Sequence, residues 1–336
     1  LKKVKLGASD LEVTQIALGT WAMGGYLWQR EPDEDSAKQT VHAAIDQGIN
    51  LIDTAPDYGL GKSEEFIGRA LQESSIPRDE LILAGKPGVN WTDDTQLFRD
   101  MRPENVEKEL DLTLKRLGTD YLDLYQVHWP DHEIPMEEIA GVMNDLFRKG
   151  KIRAIGVSNF TPQEMEAFQK EAPLHVTQNQ FNMLQRGLWG WFDYAQRHQI
   201  GGLAWGPMAH GLLADGLTKS TTFPEGDFRS SHPLFESGRF EAILDAVEQL
   251  KTFAANREKT MAQLAIRWVL EQDGVDAAIW GAYSPEQLDE VTGVTDWTLS
   301  KENLLAIDQI LKLHIDDWSS SYLDAYAPAE RSQVHA

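Results

Sequence analysis

Eight short apolar runs recur along the chain, at 14–20 (TQIALGT), 49–55 (INLIDTA), 80–86 (ELILAGK), 121–129 (YLDLYQVHW), 152–159 (IRAIGVSN), 175–182 (HVTQNQFN), 200–207 (IGGLAWGP) and 276–282 (DAAIWGA). Their length suits strands, and the segments between them carry apolar positions at helical spacing, as in DSAKQTVHAAIDQG and RPENVEKELDLTLKRLG. The second of these has Pro103 in its first turn, acids early, Lys115 and Arg116 late and Gly118 as a stop, the order that suits a helix dipole and its caps. Strands alternating with helices imply a parallel sheet with right-handed crossovers. A doubly wound sheet would carry a glycine fingerprint after its first strand, but here that strand ends in LGTWAMGG, without GxGxxG. The expected fold is therefore α/β, a closed (β/α)8 TIM barrel, for which about 250 residues is typical. The surplus falls to an N-terminal β-hairpin (Lys3–Leu6 with Glu12–Thr14), extra C-terminal helices and a long loop at 209–240 after the seventh strand. Residues 1–336 read as one domain, and loops of that length are often lids.

Composition narrows the partners. The 336 residues are 42% hydrophobic and 25% charged, as in soluble globular proteins. Lys and Arg number 31 against 53 Asp and Glu, a net charge of −22, which argues against nucleic acid or an anionic membrane as partner. No cysteine is present, so disulfides, thiolate nucleophiles and Cys-ligated zinc are excluded, and a cytoplasmic setting fits. No apolar window has the length of a membrane span, and the opening LKKVKLGASDLEVTQIALGT lacks a signal-peptide core. The nine histidines form no HExxH pair, and Pro130 separates His128 from His132, so no metal site is expected. A monomer or small homo-oligomer acting on a small molecule is the expectation.

The stretch DTAPDYGLGKSEEFIG, 53–68, holds a Gly61-Lys62-Ser63 that looks like the tail of a P-loop. A P-loop needs a glycine five residues earlier, and that position is Pro56, which has no N–H to offer a phosphate. What remains is an aspartate at a strand end and a tyrosine five residues on. In a barrel the active site lies at the C-terminal ends of the strands. Asp53, Tyr58, Lys86, His128, Ser158, Asn159 and Gln178 all fall there or within the strand. Singly each has a plain explanation: Asp53 as a helix cap, Lys86 as a solvated lysine, His128 as a satisfied buried imidazole. Together they collect an acid, a lysine, a phenol and an imidazole at one mouth.

These residues resemble the aldo-keto reductase family over nearly the whole chain. LGTWAMGG is similar to its first-strand motif, NLIDTAPDYGLGKSEEFIGRAL to its strongest signature, GKIRAIGVSNF to its fifth-strand motif and GAYSPEQLDEV to its final cofactor motif. HWPD and DFRSSHPLF are closest to a bacterial subgroup acting on small aldehydes, ketones or sugars. The resemblance implies reduction of a carbonyl, or the reverse oxidation of an alcohol or polyol, by hydride transfer from NADPH or NADH. It places the catalytic tetrad on Asp53, Tyr58, Lys86 and His128, with Tyr58 as proton donor. A free phenol titrates near pKa ~10. An ammonium about 4 Å away can supply the few kcal/mol that lower it, so Lys86 is expected to tune Tyr58, Asp53 to orient Lys86, and His128 to hold the carbonyl oxygen.

The resemblance also assigns cofactor contacts to Thr20, Trp21, Ser158, Asn159, Gln178, Trp205, Gly206, Pro207, Gly211, Leu212 and Arg229, with Trp205 stacking on the nicotinamide. In the final motif the positions Gly281, Tyr283 and Gln287 lack the basic residues that hold a 2′-phosphate in most members, and Val291 replaces an adenine-binding Asn. A relaxed choice between NADPH and NADH follows. Trp21, Trp28 and Trp129 are expected to line the substrate pocket, with Trp91 equally a packing residue. Gly85 stands where Ser or Thr is common, followed by Pro87, so a small shift of Lys86 is expected. A low-turnover nicotinamide-binding redox sensor or regulatory subunit is the alternative reading, and the complete tetrad favours the enzyme.

Overall fold

A computed structural model describes residues 1–334; the last two residues of the expected 1–336 domain lie outside them. The chain opens with an antiparallel hairpin, β1 (Lys3–Lys5) with β2 (Glu12–Thr14), Val4 opposite Val13. Then come β3 (Ile16–Gly19), α1 (Glu34–Asp46), β4 (Leu51–Asp53), α2 (Lys62–Glu73) and β5 (Ile82–Gly85). A second hairpin, β6 (Val89–Trp91) with β7 (Leu97–Arg99), precedes α3 (Pro103–Leu117). The alternation resumes with β8 (Leu124–Val127), α4 (Met136–Arg148), β9 (Ile155–Ser158), α5 (Pro162–Gln169), β10 (Val176–Gln180), α6 (Trp189–Arg197) and β11 (Gly201–Trp205). After a long loop follow α7 (Arg239–Ala255), α8 (Met261–Leu270), β12 (Ala277–Gly281), α9 (Lys301–Lys312) and the short β13 (Ala329–Glu330).

All eight expected runs are strands. They close a parallel barrel in the order β3-β4-β5-β8-β9-β10-β11-β12, with Ala278 of β12 beside Ile16 of β3. The hairpin residues Leu6, Leu11 and Val13 pack on inward residues near the strand starts, such as Ala17, Leu51 and Leu203, and stopper the N-terminal end. Each fully buried leucine or valine there stabilises the fold by about 1.5–3 kcal/mol. The opposite, C-terminal end is left for chemistry. Helix α3 has the ends read from its sequence: Pro103 in the first turn and Gly118 at φ +67°, a left-handed cap that glycine adopts without strain. Thr161 and Glu164 form a reciprocal capping box at the start of α5.

Two features were not expected. The β6–β7 hairpin sits in the loop after β5, and β13 pairs in parallel with β7, Ala329 beside Phe98, into a three-stranded sheet. The 209–240 region is a loop with three single 3-10 turns (Ala209–Gly211, Phe228–Ser230 and Pro233–Phe235), and its last two residues already belong to α7. Among the described residues no helix is long and apolar enough to cross a membrane.

Candidate active site

Three neighbouring strands bring the first polar residues together. Asp53 ends β4, Lys86 follows β5 and His128 follows β8. Strand β4 runs into a turn whose backbone crosses the turn after β3. A Cβ placed on Gly24 would come within 2.4 Å of Gly59 N, and one on Gly59 within 2.3 Å of Gly24 Cα. Only two glycines allow that crossing, which fixes the position of Tyr58 next to it. The glycines of LGTWAMGG and of DYGLG therefore act as one device.

Lys86 is buried and directs its Nζ to three acceptors: Asp53 Oδ2 at 2.5 Å, Tyr58 Oη at 3.1 Å and Thr54 O at 3.2 Å. These use all three donors of an ammonium. Asp53 Oδ1 accepts from Gln178 Nε2 at 2.8 Å and Gln126 Nε2 at 3.3 Å. The acid is thus held from the barrel interior and the lysine from the acid. Tyr58 accepts from Lys86, leaving its own hydroxyl hydrogen for another partner. The His128 ring meets the Tyr58 ring edge-on, with centroids 5.7 Å apart. A Cβ on Gly85 would lie 2.8 Å from Leu122 Cδ1, so the missing side chain there is filled by a leucine from the neighbouring β-connection.

The electrostatics of Tyr58 run opposite to the expected tuning. Burial pushes its phenol well above the ordinary value, and the charges of Asp53 and Asp57 push the same way. Lys86 lies within hydrogen-bond reach of the phenol oxygen and is itself paired with Asp53, and the net shift of the phenol is upward. The phenol of the protein without ligand keeps its proton through neutral pH.

A second group spans β8, β9 and β11. Asn159, at φ +63°, donates Nδ2 to His128 O and to Ser158 Oγ, each at 3.1 Å, and its Oδ1 accepts from Trp205 Nε1 at 3.0 Å. Ser158 and Gln178 are buried on the same rim, and Trp205 is half-buried. Other expected contact residues lie elsewhere in the mouth. Thr20 is fully buried and donates Oγ1 to Asp53 O at 2.9 Å, joining β3 to β4. Gly206 adopts φ +65° and Pro207 is buried beside it. The N–H groups of Gly211 and Leu212 are used within their own turn, on Met208 O and Ala209 O. Arg229 is clamped on Asp227 by two hydrogen bonds, at 2.9 and 2.6 Å. At the end of β12, Gly281 is exposed with open space where a side chain would be, while Tyr283 N donates to Gln287 Oε1 at 2.8 Å. Val291 is buried.

Trp21 and Trp28 meet edge-on, centroids 5.2 Å apart, and Phe228 of the long loop packs on both, at 5.0 and 4.9 Å. Trp129 is buried directly after His128, and Trp91 lies half-buried on the β6–β7 hairpin. The residues that sequence reasoning missed are Gln126, Asp57, Arg30, His210 and Tyr326. Gln126 was signalled by period two, since it shares a strand face with His128. Tyr326 carried no signal: it reaches back from the C-terminal segment to His210 Nε2 at 2.6 Å and packs edge-on with Trp205, at 5.1 Å. Burial first, then the charges of His232 and Arg229, hold His210 well below the usual imidazole range.

A closed parallel barrel with an acid, a lysine, a tyrosine and a histidine on adjacent strand ends defines an oxidoreductase of the barrel type. The model of the aldo/keto reductase family matches residues 15–312, and the chain belongs to that family. It is 44% identical over 319 residues to the aldo-keto reductase YhdN of Bacillus subtilis, covering 94% of this chain and 96% of that protein. It is 31% identical over 314 residues to the NADH-specific methylglyoxal reductase of Escherichia coli, covering 89% and 95%. Among solved structures it matches the glycerol dehydrogenase AKR11B4 from Gluconobacter oxydans with a TM-score of 0.87 and 41% identity, covering 94% of this chain and 96% of that one. The protein is an enzyme of the aldo-keto reductase family.

Proposed function

We propose that the enzyme reduces small aldehydes or ketones with a nicotinamide cofactor, using Tyr58 as the proton donor. The observation that carries this reading is the single Lys86 Nζ bonded to both Asp53 Oδ2 and Tyr58 Oη, with the His128 ring against the phenol. The rim fits the group: the indole of Trp205 for a flat ring, and the hydroxyl of Ser158 with the side-chain oxygens of Asn159 and Gln178, whose N–H groups are used within the protein, for a carboxamide. A nicotinamide bound there supplies a hydride to the carbonyl carbon. Tyr58 Oη gives its proton to the carbonyl oxygen, leaving an alcohol and a phenolate. Lys86, already bonded to that oxygen, stabilises the phenolate until solvent returns the proton. His128 donates a hydrogen bond to the same carbonyl oxygen and orients it.

Burial raises the Tyr58 phenol, so it is protonated at neutral pH as a donor must be, and the Lys86 ammonium bonded to its oxygen eases release of that proton as charge develops. The loop at 209–238, packed by Phe228 over Trp21 and Trp28, serves as the lid that shuts water from the mouth. Both NADH and NADPH are accepted, and the E. coli relative named as NADH-specific supports the first of these. The glycerol dehydrogenase and methylglyoxal reductase among the relatives support a small, polar carbonyl or polyol as substrate.

The test is a panel of small aldehydes and ketones followed by cofactor absorbance, with Tyr58→Phe alongside. The wild type should turn over, and Tyr58→Phe should lose about 10²–10⁴-fold in kcat while binding cofactor within a few-fold of the parent. A variant that retained most of its turnover on a good substrate would remove Tyr58 from the proton-donor role.

A further inference from the structure

His128 has two ring nitrogens, and the site described so far uses one of them. The other, Nδ1, lies 3.2 Å from Asp57 Oδ1. Their geometry falls short of a formed hydrogen bond, and neither atom has a hydrogen-bond partner among the described residues, so each is the nearest group able to satisfy the other. Both side chains are nearly enclosed, with 10% and 8% of their surface exposed. The backbone of His128 is fixed on each side: its N donates to Pro87 O at 3.1 Å and its O accepts from Asn159 Nδ2 at 3.1 Å. With the backbone pinned and one ring face against Tyr58, the remaining freedom is which ring nitrogen carries the proton and which edge turns to the mouth.

Asp57 is placed to decide that. It precedes Tyr58 in the turn closed by Tyr58 N to Ala55 O and Leu60 N to Asp57 O. We propose, building on the carbonyl-reductase reading above, that Asp57 is the positioning residue for His128. Its carboxylate takes the Nδ1–H, so that the Nε2 edge faces the carbonyl oxygen of the substrate. A neutral imidazole with its hydrogen on Nδ1 has only a lone pair at Nε2. To donate from Nε2 the ring must carry a hydrogen there as well, and the Asp57 carboxyl is the neighbour placed to take the one on Nδ1. The two residues therefore work as a dyad that turns the Nε2 edge to the oxygen.

The other titratable groups around the pair are accounted for. Tyr58, Lys86 and Asp53 face it from the β4 and β5 ends, and Lys86 with Asp53 is mutually compensated. From α3 comes Glu109, whose carboxyl burial holds well above the usual range. Glu64 of α2 is paired with Arg116 at 2.5 Å. Asp57 is left as the carboxylate in contact with the ring.

The decisive measurement is the His128 ring by ¹⁵N NMR in the resting enzyme, with kinetics on Asp57→Ala, Asp57→Asn and Asp57→Glu. The wild type should show hydrogen on Nδ1 throughout neutral pH. Asp57→Asn keeps an acceptor and removes the charge, so the Nδ1–H should persist while the alkaline limb of kcat/KM for reduction moves to lower pH. Asp57→Ala should lose the Nδ1–H preference and at least tenfold in kcat with a smaller change in KM, and Asp57→Glu should recover part of both. The near-isosteric Asp57→Asn keeps the pH readout accessible if the alanine variant does not fold. An Nδ1–H signal unchanged in Asp57→Ala, or an alkaline limb unmoved in Asp57→Asn, overturns the proposal. The ring signal needs no turnover, so it is separable from a failure of the Tyr58 reading, which Tyr58→Phe reports.

Discussion

Lys86 is the residue on which the site depends, and its environment has an energetic consequence. It is buried with Asp53 at 2.5 Å, and both exposures are close to zero. Breaking a buried ion pair on one side leaves an uncompensated charge and costs about 3–5 kcal/mol, whereas replacing both partners by neutral groups costs far less. Lys86→Met should therefore destabilise the protein by about that amount in urea unfolding. Asp53→Asn with Lys86→Met should recover most of it, without recovering activity. Equal destabilisation of the single and double variants would show that the pair is not coupled. At this scale the meeting of Asp53, Tyr58, Lys86 and His128 was legible because each stands at or near a strand end, where side chains face the mouth. The partners that hold them were less so. Gln126 was not singled out and Gln178 was expected only as a cofactor contact, until the closed barrel turned both onto Asp53 Oδ1. Asp57 was not singled out, because nothing in a linear sequence brings it beside His128. The direction of the Tyr58 shift was misread for a related reason. The resemblance pointed to the lysine's attraction and to its pairing with Asp53, but not to the burial of the phenol, which raises it.

Helix α3 is linked to the catalytic loop by one buried carboxyl, and that link can be tested at the scale of elements. Glu109 Oε2 accepts from Gly88 N at 2.8 Å, two residues beyond Lys86, while its Oε1 has no hydrogen-bond partner. Burial holds its carboxyl well above the ordinary glutamate range, with Asp57, Asp100 and Glu64 adding to the effect. A carboxyl raised in the folded state binds its proton more tightly there than in the unfolded chain. Below the unfolded value both states are protonated and the helix–loop link is unpenalised. As pH climbs above it, the unfolded chain releases the proton first and folding stability falls, by up to about 1.4 kcal/mol per pH unit for a single group. Glu109→Gln cannot ionise. Its stability relative to the wild type should rise with pH above 4.5, read as a growing difference in Tm between acidic and neutral buffers; parallel pH curves would place the Glu109 carboxyl outside this account. Elements themselves were the most legible level. Eight apolar runs in a row can hardly be anything but buried parallel strands, and α3 announced both its ends. The β6–β7 hairpin was missed because NWTDDTQLFR is polar and turn-rich, without an apolar face to mark it. Strand β13 was missed because its partner lies more than two hundred residues away, in pairing that no local pattern encodes.

The whole molecule carries a net charge of −22, and it must still bind an anionic dinucleotide. Few cations near the mouth are available for that. Arg229, the expected phosphate partner, is held bidentate by Asp227, which is itself buried. The segment after β12 brings Glu286, Asp289 and Glu290, and Gln287 is already spent on Tyr283 N. A positive group stationed over that segment comes from the first βα loop: exposed Arg30 lies with its guanidinium carbon 3.3 Å from the Tyr283 ring centre. A 2′-phosphate placed at this end loses two of the charge-assisted bonds that basic residues at 281 and 287 would provide, each worth roughly 1.5–3 kcal/mol. Together they amount to a hundredfold or more in affinity. Arg30, as a single exposed cation, restores only part of this. NADH should therefore bind within about tenfold of NADPH, in titrations followed by tryptophan fluorescence. Arg30→Ala should weaken NADPH more than NADH, and Tyr283→Arg should strengthen NADPH alone. The overall negative field adds a salt dependence of unusual sign. Raising ionic strength from about 0.01 to 0.15 M shortens the screening length from about 30 to 8 Å, so it relieves repulsion from distant carboxylates while sparing contacts made at the site. Binding of both cofactors should improve with salt, and NADPH, carrying the extra phosphate, should gain more. A preference for NADPH beyond a hundredfold, or one unmoved by Arg30→Ala, would mean that the phosphate finds its cation elsewhere in the mouth, with release of Arg229 from Asp227 as the first place to look.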